Sequence, residues 1–217
     1  MRHLSPWGQE GPVELLLLGA HADDIEIGCG GAVLRWMREG RVARATWVVL
    51  SAGDDREKEA RRSAAGFLAG LPEALVRVEE FRDGFFPYDG AGLKKLFEEL
   101  KASTAPDVIL THDREDRHQD HRVVSDLTWQ TFRDHLILEY EVPKFDGDLG
   151  RPNAYVELPD WAAEEKVRRL IEGFPSQLDR HWFSAATFAG LARLRGIECR
   201  SSSGYAEGFR CAKVVLS

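Results

Sequence analysis

The segment GAHADDIEIGCGG, residues 19–31, immediately follows the apolar run VELLLL at residues 13–18. A short apolar run bounded by turn residues is typical of a buried β-strand, so the strand ends where the polar residues begin. His21, Asp23 and Asp24 stand together at that strand end, although two adjacent carboxylates repel each other. We therefore expect a positively charged group to lie beside them.

The length and composition indicate one α/β domain that spans residues 1–217. The chain has 43% hydrophobic and 30% charged residues, and it is long enough to bury a large core. Its net charge of −7 argues against a general nucleic-acid binder, because no basic surplus is available to neutralise phosphates. The three cysteines form no CxxC pair and no disulfide framework, which favours a reducing compartment.

The first apolar run resembles the core of a signal peptide, but Glu14 interrupts it and no clear basic region precedes it. A buried strand is the better interpretation. No stretch approaches the roughly 18 apolar residues needed to span a membrane. We predict a cytoplasmic protein that binds neither membranes nor nucleic acid.

Strand-like and helix-like segments alternate along the first two thirds of the chain. Strands are predicted at residues 13–19, 45–51, 74–81 and 107–112, and helices at 28–40, 55–70, 92–103 and 118–135. Such alternation predicts βαβ units, a parallel sheet and helices on both of its faces. Further on we expect a loop-rich excursion at 139–160, helices at 161–174 and 183–196, and a closing strand at 209–217.

Two polar segments follow predicted strands, and ligands of open parallel sheets gather beyond the carboxyl ends of the strands. GAHADD follows the first strand and THDREDRHQDH, residues 111–121, follows the fourth. Together they hold four of the seven histidines, at positions 21, 112, 118 and 121. The topology therefore predicts that these segments meet.

Two imidazoles and one carboxylate from these segments would form a usual ligand set for catalytic zinc, with a fourth position for water. The same set can hold ferrous iron. A bound dication would offset the repulsion between the adjacent aspartates. One aspartate could then coordinate the metal, while the other takes a proton from the activated water.

Each pattern also has an ordinary structural interpretation. A histidine at a strand end can be a hydrogen-bonded core residue, DD can be a helix cap or turn, and HxxH can be a solvated helix face. The glycines of GCGG suggest a dinucleotide loop, but HADD occupies the position where that loop should open. We therefore expect the glycines to allow close helix–strand packing or close backbone approach to a ligand.

At this point the chain resembles the LmbE-like, or PIG-L, deacetylases. GAHADDIEIGCGG is similar to their AHPDD…GG motif, and HQDH is similar to their HxDH motif. Weaker similarities extend over RDG at 82–84, SQ at 176–177 and YAEGFR at 205–210. The resemblance implies a Rossmann-like fold and a zinc-dependent hydrolase that removes an N-acetyl group from a glucosamine-type sugar or sugar conjugate. It also makes a homo-oligomer plausible.

By position, the resemblance implies that His21, Asp24 and His121 bind the metal and that Asp23 is the general base. His118 would lie beside the metal, where it can stabilise the oxyanion or protonate the leaving amine.

Further residues carry implied roles around this centre. Asp120 would orient His118, while Arg56, Asp83 and Glu207 would contact the sugar. Asp83 has an alternative role at the start of the turn RDGFFPYDG, because Asp-Gly favours turns. Glu207, close to the last predicted strand, has a structural alternative.

One position departs from the family pattern: Ala22 stands where the family usually has proline, but this change removes no functional group. Two rival functions remain open. The first is another metal-dependent hydrolase at the same site, an esterase or phosphoesterase, and the scarcity of basic residues argues against the phosphoesterase. The second is a non-catalytic module that binds sugars or nucleotides.

Overall fold

The computed structural model describes residues 11–215 and contains a seven-stranded β-sheet. The strands are β1 (Val13–His21), β2 (Val42–Ser51), β3 (Glu73–Val78), β4 (Val108–His112), β5 (Leu136–Tyr140), β6 (Ala154–Leu158) and β7 (Tyr205–Arg210). Across the sheet they follow the order β3-β2-β1-β4-β5-β7-β6. The first five pair in parallel, whereas β7 pairs antiparallel with β5 and β6. The predicted, mainly parallel sheet is confirmed.

Helices cover both faces of this sheet, as predicted. They are α1 (Asp24–Arg38), α2 (Asp54–Phe67), α3 (Gly90–Ser103), α4 (Gln119–Thr131), α5 (Asp160–Gly173) and α6 (Ala185–Cys199). In β1, Leu15 and Leu17 pack in a core with α1, α2, α5 and α6, while Leu16 and Leu18 pack in a second core with α3 and α4. Because successive side chains point to opposite faces and both faces are covered, the whole leucine run is buried.

Helix α1 lies unusually close to the sheet at its glycines. A Cβ atom on Gly28 would lie 2.0 Å from the Tyr140 ring, and one on Gly31 would lie 2.6 Å from Leu158. Only residues without a side chain allow this approach. The interpretation of GCGG as a close-packing motif is therefore confirmed.

Two predicted boundaries differ from the structure because the sequence analysis assigned neither β5 nor β6 as a strand. The helix predicted at 118–135 ends at Thr131, and the chain then enters β5. The excursion predicted at 139–160 contains β6 and, before it, the irregular segment 141–153. β5 (LILEY) has only five residues and begins shortly after α4 ends, so its apolar residues continue the apolar pattern of the preceding helix.

The closing strand lies earlier than predicted. The expected range was 209–217, but β7 ends at Arg210, and residues 211–215 form no regular structure. Residues 216–217 lie outside the described range. Val214 and Val215 are apolar but exposed, because no neighbouring strand pairs with them among the described residues.

Two further features concern the cysteines and the helices. Cys29, Cys199 and Cys211 are all unpaired. Within residues 11–215, no helix combines the length and the apolar character that crossing a membrane requires.

Candidate active site

The ends of β1 and β4 bring the two polar segments together. β1 ends at His21 and α1 begins at Asp24, while β4 ends at His112 and α4 begins directly after His118, its N-cap. Since β1 and β4 are adjacent parallel strands, both segments lie at the same edge of the sheet. Nδ1 of His21 lies 3.2 Å from Nε2 of His121, so the predicted meeting is confirmed.

Three buried atoms form a compact triangle at this edge. Nδ1 of His21 and Nε2 of His121 lie 3.2 Å apart, and Oδ2 of Asp24 lies 3.2 Å from the first and 3.4 Å from the second. Zinc bonds to such atoms are roughly 2.0–2.2 Å long, so ligand atoms of a tetrahedral site lie about 3.3–3.6 Å apart. The triangle therefore has nearly the dimensions of one face of a tetrahedral zinc site.

The hydrogen-bond partners of the two rings turn their lone pairs toward this triangle. Nδ1 of His121 lies 2.8 Å from the Asp116 carboxylate, so it donates its proton there and Nε2 is left without one. Burial lowers the pKa of His121 to about 3, which keeps the ring neutral. Nε2 of His21 lies 3.0 Å from Asp83 and 3.3 Å from Asp120, so Nδ1 of a neutral His21 ring is likewise free. Two lone pairs and a carboxylate oxygen then converge, and a dication fits between them.

The charges around the triangle favour a cation at its centre. Burial lowers the pKa of His21, but the Asp24 carboxylate and a hydrogen bond with Asp120 outweigh it and raise the pKa well above its usual value. Burial raises the pKa of Asp24, but His121, His112 and His21 hold it well below its usual range. The surroundings thus stabilise positive charge on one side and an ionised carboxylate on the other.

Asp23 lines the same cleft as the triangle, but its carboxylate has other partners than that of Asp24. Its Oδ1 accepts a hydrogen bond from Nη2 of Arg56 at 3.0 Å. Its Oδ2 is buried and has no hydrogen-bond partner among the described residues. Burial raises the pKa of Asp23 to about 6, although Arg56 opposes the shift. The free oxygen is a candidate proton acceptor beside the triangle.

His118 stands next to both candidate metal-binding histidines. Its ring centroid lies 4.9 Å from that of His21 and 4.6 Å from that of His121. Its Nδ1 accepts a hydrogen bond from the backbone N–H of Asp120 at 3.3 Å, so a neutral ring carries its proton on Nε2. Burial lowers the pKa of His118, which favours this neutral form.

Asp120 does not orient His118 through its carboxylate, which corrects the expectation. Its Oδ2 accepts a hydrogen bond from the backbone N–H of Gly84 at 2.6 Å, and its Oδ1 accepts one from Phe86 at 3.1 Å. The same Oδ2 lies 3.3 Å from Nε2 of His21. Asp120 therefore positions His21 and the loop after β3.

Two of the three candidate substrate residues line a cleft above the triangle. The cleft has a volume of about 220 Å³, and both Arg56 and Asp83 line it. The Asp83 side chain is 66% exposed, and its Oδ1 reaches His21, so it occupies the border between the candidate metal site and solvent. The outer wall is formed by residues remote in sequence: Val142, Lys144, Phe145, Asp146, Gln177, Arg180 and Trp182.

Glu207, the third candidate, does not line this cleft. It is buried on β7, and its two oxygens accept hydrogen bonds from the backbone N–H groups of Gly31 at 2.8 Å and Ala32 at 2.7 Å. Nζ of Lys166 lies 2.6 Å from the same carboxylate. The expected sugar contact is therefore wrong, because every strong donor near Glu207 comes from the protein interior.

Sequence reasoning assigned no role to three residues that support the site. His112 stacks on His121 with centroids 3.8 Å apart, and its Nε2 lies 3.3 Å from Oδ2 of Asp24. Asp116 accepts the Nδ1 proton of His121, and Lys144 lies 2.8 Å from Asp116. The segment at 111–121 already contained His112 and Asp116, but no local pattern pointed to Lys144.

Both a family model and solved structures are similar to this chain. The family model described as PIG-L: GlcNAc-PI de-N-acetylase matches residues 16–132, which contain both polar segments. No curated protein sequence matches the chain significantly.

Solved structures share the fold at low sequence identity. A conserved protein from Thermus thermophilus is 22% identical with a TM-score of 0.74, and the match covers 94% of this chain and 97% of that one. N,N'-diacetylchitobiose deacetylase from Pyrococcus horikoshii is 22% identical with a TM-score of 0.69, and the match covers 91% of this chain and 83% of that one. The 4-carboxy-2-hydroxymuconate hydratase GalB from Pseudomonas putida is 16% identical with a TM-score of 0.70, and the match covers 94% of this chain and 98% of that one.

Proposed function

The chain belongs to the family described as PIG-L, GlcNAc-PI de-N-acetylase, and we propose that it is a zinc-dependent hydrolase of N-acetylated sugars. The substrate would be a glucosamine-type sugar or sugar conjugate that loses its N-acetyl group. The observation that carries the proposal is the triangle of His21, Asp24 and His121, with the free Oδ2 of Asp23 beside it.

Amide hydrolysis requires an activated water, stabilisation of the developing oxyanion and a proton for the amine. His21, Asp24 and His121 would hold zinc, which lowers the pKa of water to about 7 and polarises a carbonyl. Oδ2 of Asp23 accepts the proton of the attacking water, because Arg56 already occupies Oδ1. Asp23 then carries this proton beside the departing amine and can return it.

His118, which also lines the cleft, would support the same reaction. Its neutral ring has a donor at Nε2, because Nδ1 accepts the backbone N–H of Asp120. A donor preoriented toward developing negative charge lowers the barrier of acyl transfer. We therefore assign oxyanion stabilisation to His118 and the proton transfers to Asp23.

Asp83 and Arg56 would hold hydroxyl groups of the sugar at the mouth of the cleft. Asp83 is exposed at the edge of the site, and Arg56 lines the cleft while its guanidinium contacts Asp23. The deacetylase from Pyrococcus horikoshii supports this substrate class, since it shares the fold and acts on an acetylated sugar. We also propose that the activity resides in the cytoplasm, as the three unpaired cysteines favour.

A mass-spectrometric screen tests the reaction directly. Zinc-loaded protein is incubated with a panel of N-acetylglucosamine conjugates, and the expected result is loss of one acetyl group from at least one of them. Matched acetyl esters and phosphate esters are included, together with the Asp23→Asn variant. Turnover of esters alone would favour the rival hydrolases, and binding without turnover would favour a non-catalytic module.

A further inference from the structure

Asp116 connects both histidines of the HQDH segment. Its Oδ1 accepts a hydrogen bond from the backbone N–H of His118 at 2.7 Å. Its Oδ2 lies 2.8 Å from Nδ1 of His121, the ring nitrogen opposite the triangle. The carboxylate is buried, and its hydrogen bond with His121 sets both the tautomer and the orientation of that ring.

The same Oδ2 atom also binds a lysine from a distant segment. Nζ of Lys144 lies 2.8 Å from Oδ2 of Asp116 and 2.7 Å from Oδ2 of Asp148. The three side chains are at most 9% exposed, so the ammonium group is almost fully withdrawn from water. The backbone N–H of Arg117 donates a hydrogen bond to Oδ2 of Asp148 at 2.7 Å. Asp148 is thereby also joined to the residue that directly precedes His118.

Lys144 belongs to a segment that forms the outer wall of the cleft. This cleft loop, residues 142–148, lies in the irregular connection between β5 and β6. Val142, Phe145 and Asp146 line the cleft together with Lys144. The loop therefore touches the space for the substrate on one side and the partner of His121 on the other.

We propose that Asp116, Lys144 and Asp148 couple the cleft loop to the metal centre, so that metal binding at His121 and ordering of the loop favour each other. All three act as positioning residues: Asp116 holds the ring of His121, and Lys144 and Asp148 hold the loop against Asp116. The inference rests on the metal site of the proposed function, but it requires no particular substrate.

Oδ2 of Asp116 contacts both Lys144 and His121, and this shared atom distinguishes the arrangement from an ordinary ion pair. An isolated Lys–Asp pair would anchor the loop without any effect on a metal ligand. Here a displacement of the loop withdraws Lys144 from the oxygen that also orients His121. Thermodynamic coupling between two events acts equally in both directions. If the docked loop favours the metal-binding orientation of His121, a metal ion bound to His121 must also stabilise the docked loop.

Hydrogen exchange of the native protein measures this coupling without any substrate. Zinc should slow amide exchange in the peptide that covers residues 144–150 by about 5-fold or more, which is the lower end of typical allosteric coupling. In Lys144→Met, zinc should still bind, but this protection of the loop should disappear. Asp116→Asn should weaken zinc binding by roughly 10- to 100-fold in competition with a chelator.

Lys166→Met is the matched control, because Lys166 is a similarly buried lysine whose polar partners are Glu207 and the backbone carbonyl of Ile27. This variant should keep the zinc-dependent protection of residues 144–150. The coupling is refuted if zinc leaves the wild-type loop unchanged, or if Lys144→Met retains the full protection. Loss of protection in both lysine variants would also refute it, since general loosening would then explain the effect. If zinc does not bind to the wild-type protein at all, the proposed function fails instead.

Discussion

Nη2 of Arg56 donates a hydrogen bond to Oδ1 of Asp23 at 3.0 Å, which leaves Oδ2 buried and without a hydrogen-bond partner in residues 11–215. The arginine thereby fixes the orientation of the carboxylate and leaves its second oxygen available to accept a proton. Asp24, the next residue, instead places its Oδ2 within 3.2–3.4 Å of three histidines. The adjacent aspartates therefore have separate surroundings, from which separate roles follow.

Asp23→Asn should keep the metal but lower kcat by at least about 100-fold. The amide nearly preserves the shape of the side chain and removes its basicity, and general acid–base assistance contributes typically ~10²–10⁴ in rate. Metal content and kcat are measured on any substrate found in the screen. Asp24→Asn is the companion variant and should weaken metal binding, with activity partly restored by excess zinc. The reverse pattern would exchange the roles of the two aspartates.

His121→Ala should lose metal affinity together with activity. The substitution removes one of three converging candidate ligand atoms and leaves the triangle incomplete. Metal content after dialysis, measured by elemental analysis, provides the readout. His135→Ala is a suitable control, because His135 pairs with Asp134 away from the cleft. Full stoichiometric zinc in His121→Ala would remove this residue from the ligand set.

Asp83→Ala should reduce turnover of a sugar amide while the metal content stays intact. Asp120 still contacts Nε2 of His21 in this variant, so the ring keeps a carboxylate partner. Asp89→Ala tests the structural alternative, because Asp89 is another exposed Asp-Gly aspartate of the same loop and does not line the cleft. If Asp83→Ala lowers thermal stability but leaves kcat and KM unchanged, Asp83 is a turn residue only.

Glu207→Ala should destabilise the protein without direct interference with chemistry. The substitution leaves Lys166 buried without its carboxylate and removes the side-chain acceptor of two backbone N–H groups of α1. Removal of one member of a buried pair costs about 3–5 kcal/mol, whereas exposed pairs contribute about 0–1 kcal/mol. Glu172→Ala, which breaks an exposed pair with Arg168, is the comparison. Equal unfolding free energies in urea for the two variants would contradict the structural role of Glu207.

Much of the central site could be predicted from short stretches of sequence. The apolar run at 13–18 predicted a buried strand, and His21, Asp23 and Asp24 follow it directly. Residues 111–121 follow a strand in the same way. Because ligands collect beyond the carboxyl ends of parallel strands, these two local patterns were sufficient to predict that the segments meet.

The supporting residues could not be predicted in this way. Asp120 was expected to orient His118, but its carboxylate reaches His21 and the loop after β3. Glu207 was expected at the sugar, but it accepts hydrogen bonds from α1. In each case the sequence contains the polar side chain, and the tertiary structure decides which donors surround it.

The sequence by itself determined the α/β alternation, the buried first strand and the chemical groups available at its end. These properties depend on side-chain periodicity and on neighbours within a few residues, so they can be recognised in a linear chain. Only the tertiary structure decided that β7 inserts between β5 and β6 and that Lys144 reaches Asp116. Such contacts join residues far apart in the chain, and they depend on how the sheet, both cores and the connecting loops pack together.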